Sequence, residues 1–87
     1  MIRPDNDLIE ERVRGLIAQE FKVDKSLISY DSEFKGLGRD SLAVLELLAL
    51  IENEFDISIS DEEARQISSF RSLVDSITEH LRAKQKT

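Results

Sequence analysis

The chain has 87 residues, the length of one small domain, and it contains no cysteine, which excludes disulfide and thiolate-metal scaffolds. Its formal net charge of −6 opposes binding to nucleic acid and to anionic membranes. Residues 1–13 carry charges where a signal peptide needs an apolar core, and no apolar run is long enough to span a bilayer. We therefore expect a soluble, cytoplasmic protein without stable membrane insertion.

Apolar residues near the start of the chain recur at the spacing of an amphipathic helix. They are Ile9, Val13, Leu16, Ile17 and Phe21. The pattern predicts a first helix over about residues 7–22, with Asp5 or Asn6 as its N-cap.

Residues 22–40 show no persistent period and predict a long loop, closed by Gly36 and Gly38. Scattered apolar residues are expected to anchor this loop to the core. They are Val23, Leu27, Ile28, Tyr30, Phe34 and Leu37. A connection of this length is uncommon in a compact domain and is typically functional.

Three further helices are predicted, over residues 41–55, 61–67 and 70–83. Ser60 and Glu63 have the spacing of a capping box at the start of the short one. The alternation of Ile57 and Ile59 is too short to predict a strand. The expected fold is all-α: a single domain over residues 1–87, built as a small antiparallel bundle of three main helices plus one short helix.

The second predicted helix has two apolar faces on a helical wheel. The core face comprises Val44, Leu47, Leu48, Ile51 and Phe55. The opposite side carries Leu42, Leu45 and Ala49, flanked by Glu46, Glu52 and Asn53. This side either packs under the long loop or forms an exposed strip for a partner with an apolar groove and basic residues. Eight acidic residues and no Lys or Arg lie between positions 40 and 63, which is typical of a solvated surface or of a docking face for basic partners.

Ser41, at the head of that strip, lacks the partners of a catalytic serine. A nucleophilic serine needs a nearby base. The one histidine of the chain, His80, lies far from Ser41 in the sequence and is interpreted as an ordinary surface residue. A helix N-terminus does stabilise a phosphate ester. Asp40 can cap the helix and leave the Ser41 hydroxyl pointing outward, although both residues could simply be caps.

Residues 37–42, Leu-Gly-Arg-Asp-Ser-Leu, resemble the Leu-Gly-x-Asp-Ser-Leu motif of acyl carrier proteins and of their peptidyl and aryl relatives. Further likenesses follow in the order and spacing of that family, and together they cover about residues 8–81. They comprise residues 9–13, 32–34, 46–47, 52–55, 59–64 and 67–69. Gly36, Arg39, Ala43 and Ser60 depart from the usual pattern, which points to a carrier dedicated to one specialised pathway.

The resemblance implies an acyl-carrier-protein-like bundle that is not an enzyme and holds no metal. A phosphopantetheinyl transferase would attach the 4′-phosphopantetheine arm of coenzyme A to Ser41, between Asp40 and Leu42, in a magnesium-dependent reaction. The thiol of the arm would hold acyl groups as thioesters for the loading, condensing and tailoring enzymes of a fatty-acid, polyketide or other specialised pathway. The carrier is expected to be a monomer. The alternative is a carrier-like helical interaction module of the same fold without the arm.

The resemblance also implies a docking surface for enzymes with basic surfaces. The positions that match it are Arg39, Leu42, Leu45, Glu46, Ala49, Glu52, Asp61 and Glu62. Arg39 would influence which partners dock.

Overall fold

A computed structural model describes residues 4–38 and 40–85. Within these residues the chain forms four α-helices: α1 (Pro4–Phe21), α2 (Ser41–Phe55), α3 (Asp61–Gln66) and α4 (Phe70–Gln85). α1 packs against both α2 and α4. The described residues contain no strand, only one isolated antiparallel bridge between Glu33 and Ser69. The prediction of an all-α helical bundle is therefore confirmed.

The first helix begins earlier than the apolar spacing predicts. It starts at Pro4, since proline has a backbone angle suited to the first helical turn and no N–H that the turn would leave unpaired. Asp5 and Asn6 lie inside α1, so the prediction that one of them is the N-cap is wrong.

α1 and α2 end in the same manner, with a non-glycine residue in the left-handed region. Lys22 has φ 57° and Asp56 has φ 55°. The N–H of the following residue then reaches back five positions to a helix carbonyl, at 3.1 Å in both cases: Val23 to Ala18, and Ile57 to Glu52. This closure pairs terminal carbonyls that would otherwise lack a donor.

The core lies where the apolar faces of the helices meet. Its fully buried side chains include Val13, Ile17, Leu47, Ile51, Phe70, Leu73 and Ile77. On α2, Leu47, Leu48 and Ile51 are buried, while Val44 and Phe55 pack against them half-buried, so the predicted core face is the one the helix buries.

The segment between α1 and α2 contains two short 3₁₀ turns, Lys25–Leu27 and Lys35–Leu37. Ile28 and Phe34 are its buried anchors. Leu27 was predicted to be an anchor as well, but its side chain is 62% exposed. Leu27 ends a 3₁₀ turn that buries none of its residues, and Ile28, directly after that turn, is the residue that enters the core.

Backbone hydrogen bonds tie this segment to the start of α4. The Phe34 N–H donates to the Ser68 carbonyl at 3.0 Å, and the Phe70 N–H donates to the Ser32 carbonyl at 2.9 Å. Arg71 adds an ion pair with Asp31 at 2.6 Å. The long connection is thereby held in one place immediately before α2. In the described part of the chain, no helix is both long and apolar enough to cross a membrane.

Candidate functional site at the start of α2

Ser41 is the first residue of α2, and its side chain is exposed. Asp40 precedes it as the N-cap, and one of its carboxylate oxygens accepts a hydrogen bond from the Ala43 N–H at 3.0 Å. This is the capping role predicted for Asp40. Because the carboxylate of Asp40 caps the helix, the Ser41 hydroxyl is left available for another role.

A glycine shapes the backbone that leads to Ser41. Gly38 has φ 78°, in the left-handed region that side chains disfavour, and its N–H donates to the Lys35 carbonyl at 3.0 Å. The turn that it closes, Lys35–Leu37, follows directly after the buried ring of Phe34. The approach to Ser41 is therefore set by one core anchor and one glycine. Arg39, a predicted partner-binding residue, lies outside the described residues.

Ser41 lines an open cleft of about 710 Å³ between α2, α3 and the segment before α2. The apolar part of its lining consists of Phe34, Val44, Leu45, Ala64 and Ile67. The polar part, besides Ser41, consists of Lys35, Asp40, Asp61, Arg65 and Ser68. The buried members of the lining, Phe34 and Ile67, are apolar, and the charged ones are exposed.

The second apolar face of α2 faces solvent. Leu42 is 65% exposed, Leu45 is 54% exposed, and Ala49 is also exposed, as is the adjacent Glu46. The interpretation that this face packs under the long loop is therefore wrong. We refer to Leu42, Leu45, Glu46 and Ala49 as the α2 strip. Leu50, which the helical wheel did not place in it, is exposed as well.

The acidic residues predicted to bind partners separate into two kinds. Asp61 and Glu62 lie exposed in the first turn of α3. Glu52 is half-buried, and its carboxylate accepts a hydrogen bond from the Ile59 N–H at 2.7 Å. This bond fixes the connection between α2 and α3, a structural role that the sequence pattern did not reveal.

α3 is held by its cap and by a contact with α4. The Ser60 hydroxyl accepts from the Glu63 N–H at 3.1 Å, as the capping-box spacing predicted. One oxygen of the Glu63 carboxylate accepts from the Ser76 hydroxyl and lies 2.7 Å from His80 Nε2. The hydrogen bonds from Ser76 and then His80 hold the pKa of Glu63 below its ordinary value, against the opposing effect of desolvation. A smaller contribution of the same sign comes from the Ser60 backbone.

His80 is thus half-buried and paired with Glu63, which corrects the interpretation of an isolated surface histidine. Sequence reasoning missed the pair because its members are 17 positions apart on different helices and share no motif. Among the side chains that the structure describes, no cluster of three or more His, Cys, Asp or Glu could hold a metal ion.

The sequence also matches a known protein family. The family described as "Phosphopantetheine attachment site" matches over residues 11–77. The chain belongs to this family of phosphopantetheine-binding carrier proteins. Its fold is similar to the crystal structure of an acyl carrier protein from Thermotoga maritima, with a TM-score of 0.82 over 95% of this chain and 98% of that one, at 24% sequence identity.

A protein of this family is a carrier that works together with enzymes and is not an enzyme itself. Its cofactor is a covalently bound 4′-phosphopantetheine. The residues at the start of α2 fit such a group. The exposed hydroxyl of Ser41 lies beside an open cleft, at the N-terminal end of a helix, where the helix dipole favours an anionic ester.

Proposed function

We propose that Ser41 is the residue that carries the 4′-phosphopantetheine arm, flanked by Asp40 and Leu42. The observation that carries this proposal is the position of its exposed hydroxyl at the first residue of α2, beside an Asp40 that already caps the helix. The carrier would hold acyl intermediates as thioesters and deliver them to loading, condensing and tailoring enzymes. The pathway is a fatty-acid, polyketide or other specialised acyl pathway, and the departures from the family pattern at Gly36, Arg39 and Ala43 favour the specialised one.

The residues around Ser41 prepare the hydroxyl and do not activate it. Asp40 fixes the start of α2, so the backbone that carries the Ser41 hydroxyl is held in place. Free backbone N–H groups and the positive end of the helix dipole favour an anionic ester there. The bound arm supplies a thiol in a chain that has no cysteine. Leu42, largely exposed next to Ser41, offers an apolar contact to the transferase that delivers the arm.

The intact mass of the chain tests the attachment site. The protein is incubated with coenzyme A, magnesium and a broad-specificity phosphopantetheinyl transferase, and the expected result is a gain of one phosphopantetheine group. Ser41→Ala should abolish the gain, whereas Ser58→Ala, which removes another exposed serine hydroxyl, should leave it intact. A folded, initially unmodified chain that gains no mass would favour the alternative, an interaction module without the arm.

We further propose that partner enzymes dock on the α2 strip together with Asp61 and Glu62. Exposed leucines rimmed by carboxylates suit partners that bring an apolar groove and basic residues. Glu52 takes part through the position it gives to the α2–α3 connection, since its carboxylate binds the Ile59 N–H. Arg39, two positions before Ser41 in the sequence, would influence the choice among partners.

A charge reversal tests the docking surface. Glu46→Lys should weaken binding to the transferase several-fold at low ionic strength and less at high salt, because exposed charges are screened. The matched control is Glu79→Lys, an equal charge change at an exposed position of α4. Dissociation constants measured by calorimetry at two salt concentrations would distinguish them. Equal weakening by both variants would remove the support for docking at the α2 strip.

We also propose that the carrier acts as a cytoplasmic monomer, without binding nucleic acid or inserting stably into membranes. The net charge of −6 supports the absence of binding to nucleic acid and to anionic membranes, because both would repel the chain.

A further inference from the structure

The cleft beside Ser41 contains two cations that have no ionic partner among the residues the structure describes. Lys35 belongs to the 3₁₀ turn before α2, and Arg65 belongs to α3, so they reach the cleft from different elements. Both are exposed, and neither takes part in a salt bridge with a described residue. By contrast, Arg71 and Arg12 are each paired with a carboxylate.

The way α3 is held explains why Arg65 lines the cleft. Asp61, Ala64 and Arg65 all line it, and their spacing of three and four places them on one face of the helix. Glu63 lies on another face and is bound to Ser76 and His80 of α4. Because that contact ties α3 to α4, the face with Arg65 stays turned toward the cleft.

Charges of both signs line the cleft beside Ser41. Asp40 and Asp61 also line it, so an anion attached to Ser41 would meet two carboxylates. Lys35 and Arg65 are the cations of the same lining that can offset this repulsion. Without these two cations, an anion attached to Ser41 would meet only carboxylates among the charged residues of the lining.

We propose that Lys35 and Arg65 form a subsite for the phosphodiester that joins the arm to Ser41. The planar guanidinium of Arg65 offers a fork of N–H donors that matches two phosphate oxygens, and Lys35 contributes a mobile point charge. The near end of the arm then lies along the cleft between α2 and α3. This inference rests on the proposed attachment at Ser41 and adds to it the residues that position the phosphate.

The test compares the stability of the loaded and unloaded forms of three chains: the wild type, Lys35→Gln/Arg65→Gln, and the control Lys25→Gln/Arg82→Gln. The control removes the same two charges from exposed residues that do not line the cleft. Complete loading is verified by intact mass, and urea midpoints are measured at an ionic strength of about 0.01 M, where the screening length is about 30 Å. Loading should raise the midpoint of the wild type and the control alike, and the rise should be at least halved in the cleft variant.

Phosphorus NMR of the loaded chains gives a second readout that does not depend on stability. The phosphodiester resonance of the wild type should move when the ionic strength is raised to about 1 M, where the screening length is about 3 Å. The resonance of the cleft variant should already lie near that high-salt position. If the double variant folds poorly, Lys35→Gln and Arg65→Gln are measured singly, and each should show part of the effect.

Three results would overturn the inference. One is an equal rise of the urea midpoint in all three chains, and another is a loaded wild type whose midpoint does not rise. In the third, the rise of the midpoint depends on Lys35 and Arg65 only when the arm carries an acyl group with a carboxylate. The two cations would then bind the acyl cargo and not the phosphodiester. A wild type that gains no mass refutes the attachment at Ser41 instead, so the failures of the two proposals are distinguishable.

Discussion

Replacing Glu63 with alanine is expected to loosen α3 from α4. The carboxylate of Glu63 accepts from Ser76 and lies within hydrogen-bond distance of His80, at 2.7 Å in both cases. α3 has only six residues, far fewer than an isolated helix needs for stability in water. Its order therefore depends on contacts of this kind.

The expected cost of Glu63→Ala follows from the two lost bonds. Each hydrogen bond contributes about 1 kcal/mol net, and more when one partner is charged. The Glu63 side chain is 38% exposed, so solvent screens the pair, and we expect a loss of about 1–2 kcal/mol in the free energy of unfolding. For a domain of this size, that lowers the Tm by about 4–16 °C. Glu62→Ala, at an exposed carboxylate in the same turn, should stay within about 0.5 kcal/mol of the wild type.

Urea unfolding at neutral pH measures both variants, and equal losses for Glu63→Ala and Glu62→Ala would refute the reasoning. A pH series adds a second condition. Hydrogen bonds from Ser76 and then His80 lower the pKa of Glu63 from its ordinary value of 4.5. The stabilisation is therefore complete above the unfolded-state pKa and is lost as the pH falls through the folded-state pKa. The difference between the wild type and Glu63→Ala should shrink below about pH 4.5; a difference that persists unchanged well below that pH would contradict this account.

Three further predictions concern α2 and its approach. Leu47→Ala, at a fully buried site, should lower the free energy of unfolding by about 3–4 kcal/mol, whereas Leu45→Ala, at an exposed site, should lower it by about 0.5 kcal/mol. Similar urea midpoints for the two variants would refute the assignment of the two faces of α2. Gly38→Ala should lower the free energy of unfolding by about 1–2 kcal/mol because the φ of Gly38 is 78°, while Gly36→Ala should be neutral or slightly stabilising. Thermal melts that rank the two variants in the opposite order would contradict this. Asp40→Ala should cost about 1 kcal/mol and Asp40→Asn only a few tenths, because asparagine keeps the capping oxygen, and equal losses in urea would count against the cap.

The helices could be predicted because their signals are local. The apolar stripe of α1, the core face of α2 and the cap formed by Ser60 depend on residues three or four positions apart. The Leu-Gly-x-Asp-Ser-Leu motif is equally local, so Ser41 could be singled out without coordinates. The start of α1 was misplaced because apolar periodicity ignores a residue such as Pro4, which favours the first turn by its fixed backbone angle.

The sequence by itself therefore determined the helical class, the buried face of α2 and the serine at its start, because each is a property of neighbouring residues. Only the tertiary structure decided whether the second face of α2 is covered, since that depends on where the distant loop runs. It also decided that Glu52 binds a backbone N–H, that Glu63 pairs with His80, and that Lys35 and Arg65 share a cleft. Such contacts join residues on separate elements, and no local spacing encodes which polar groups the packing of helices brings together.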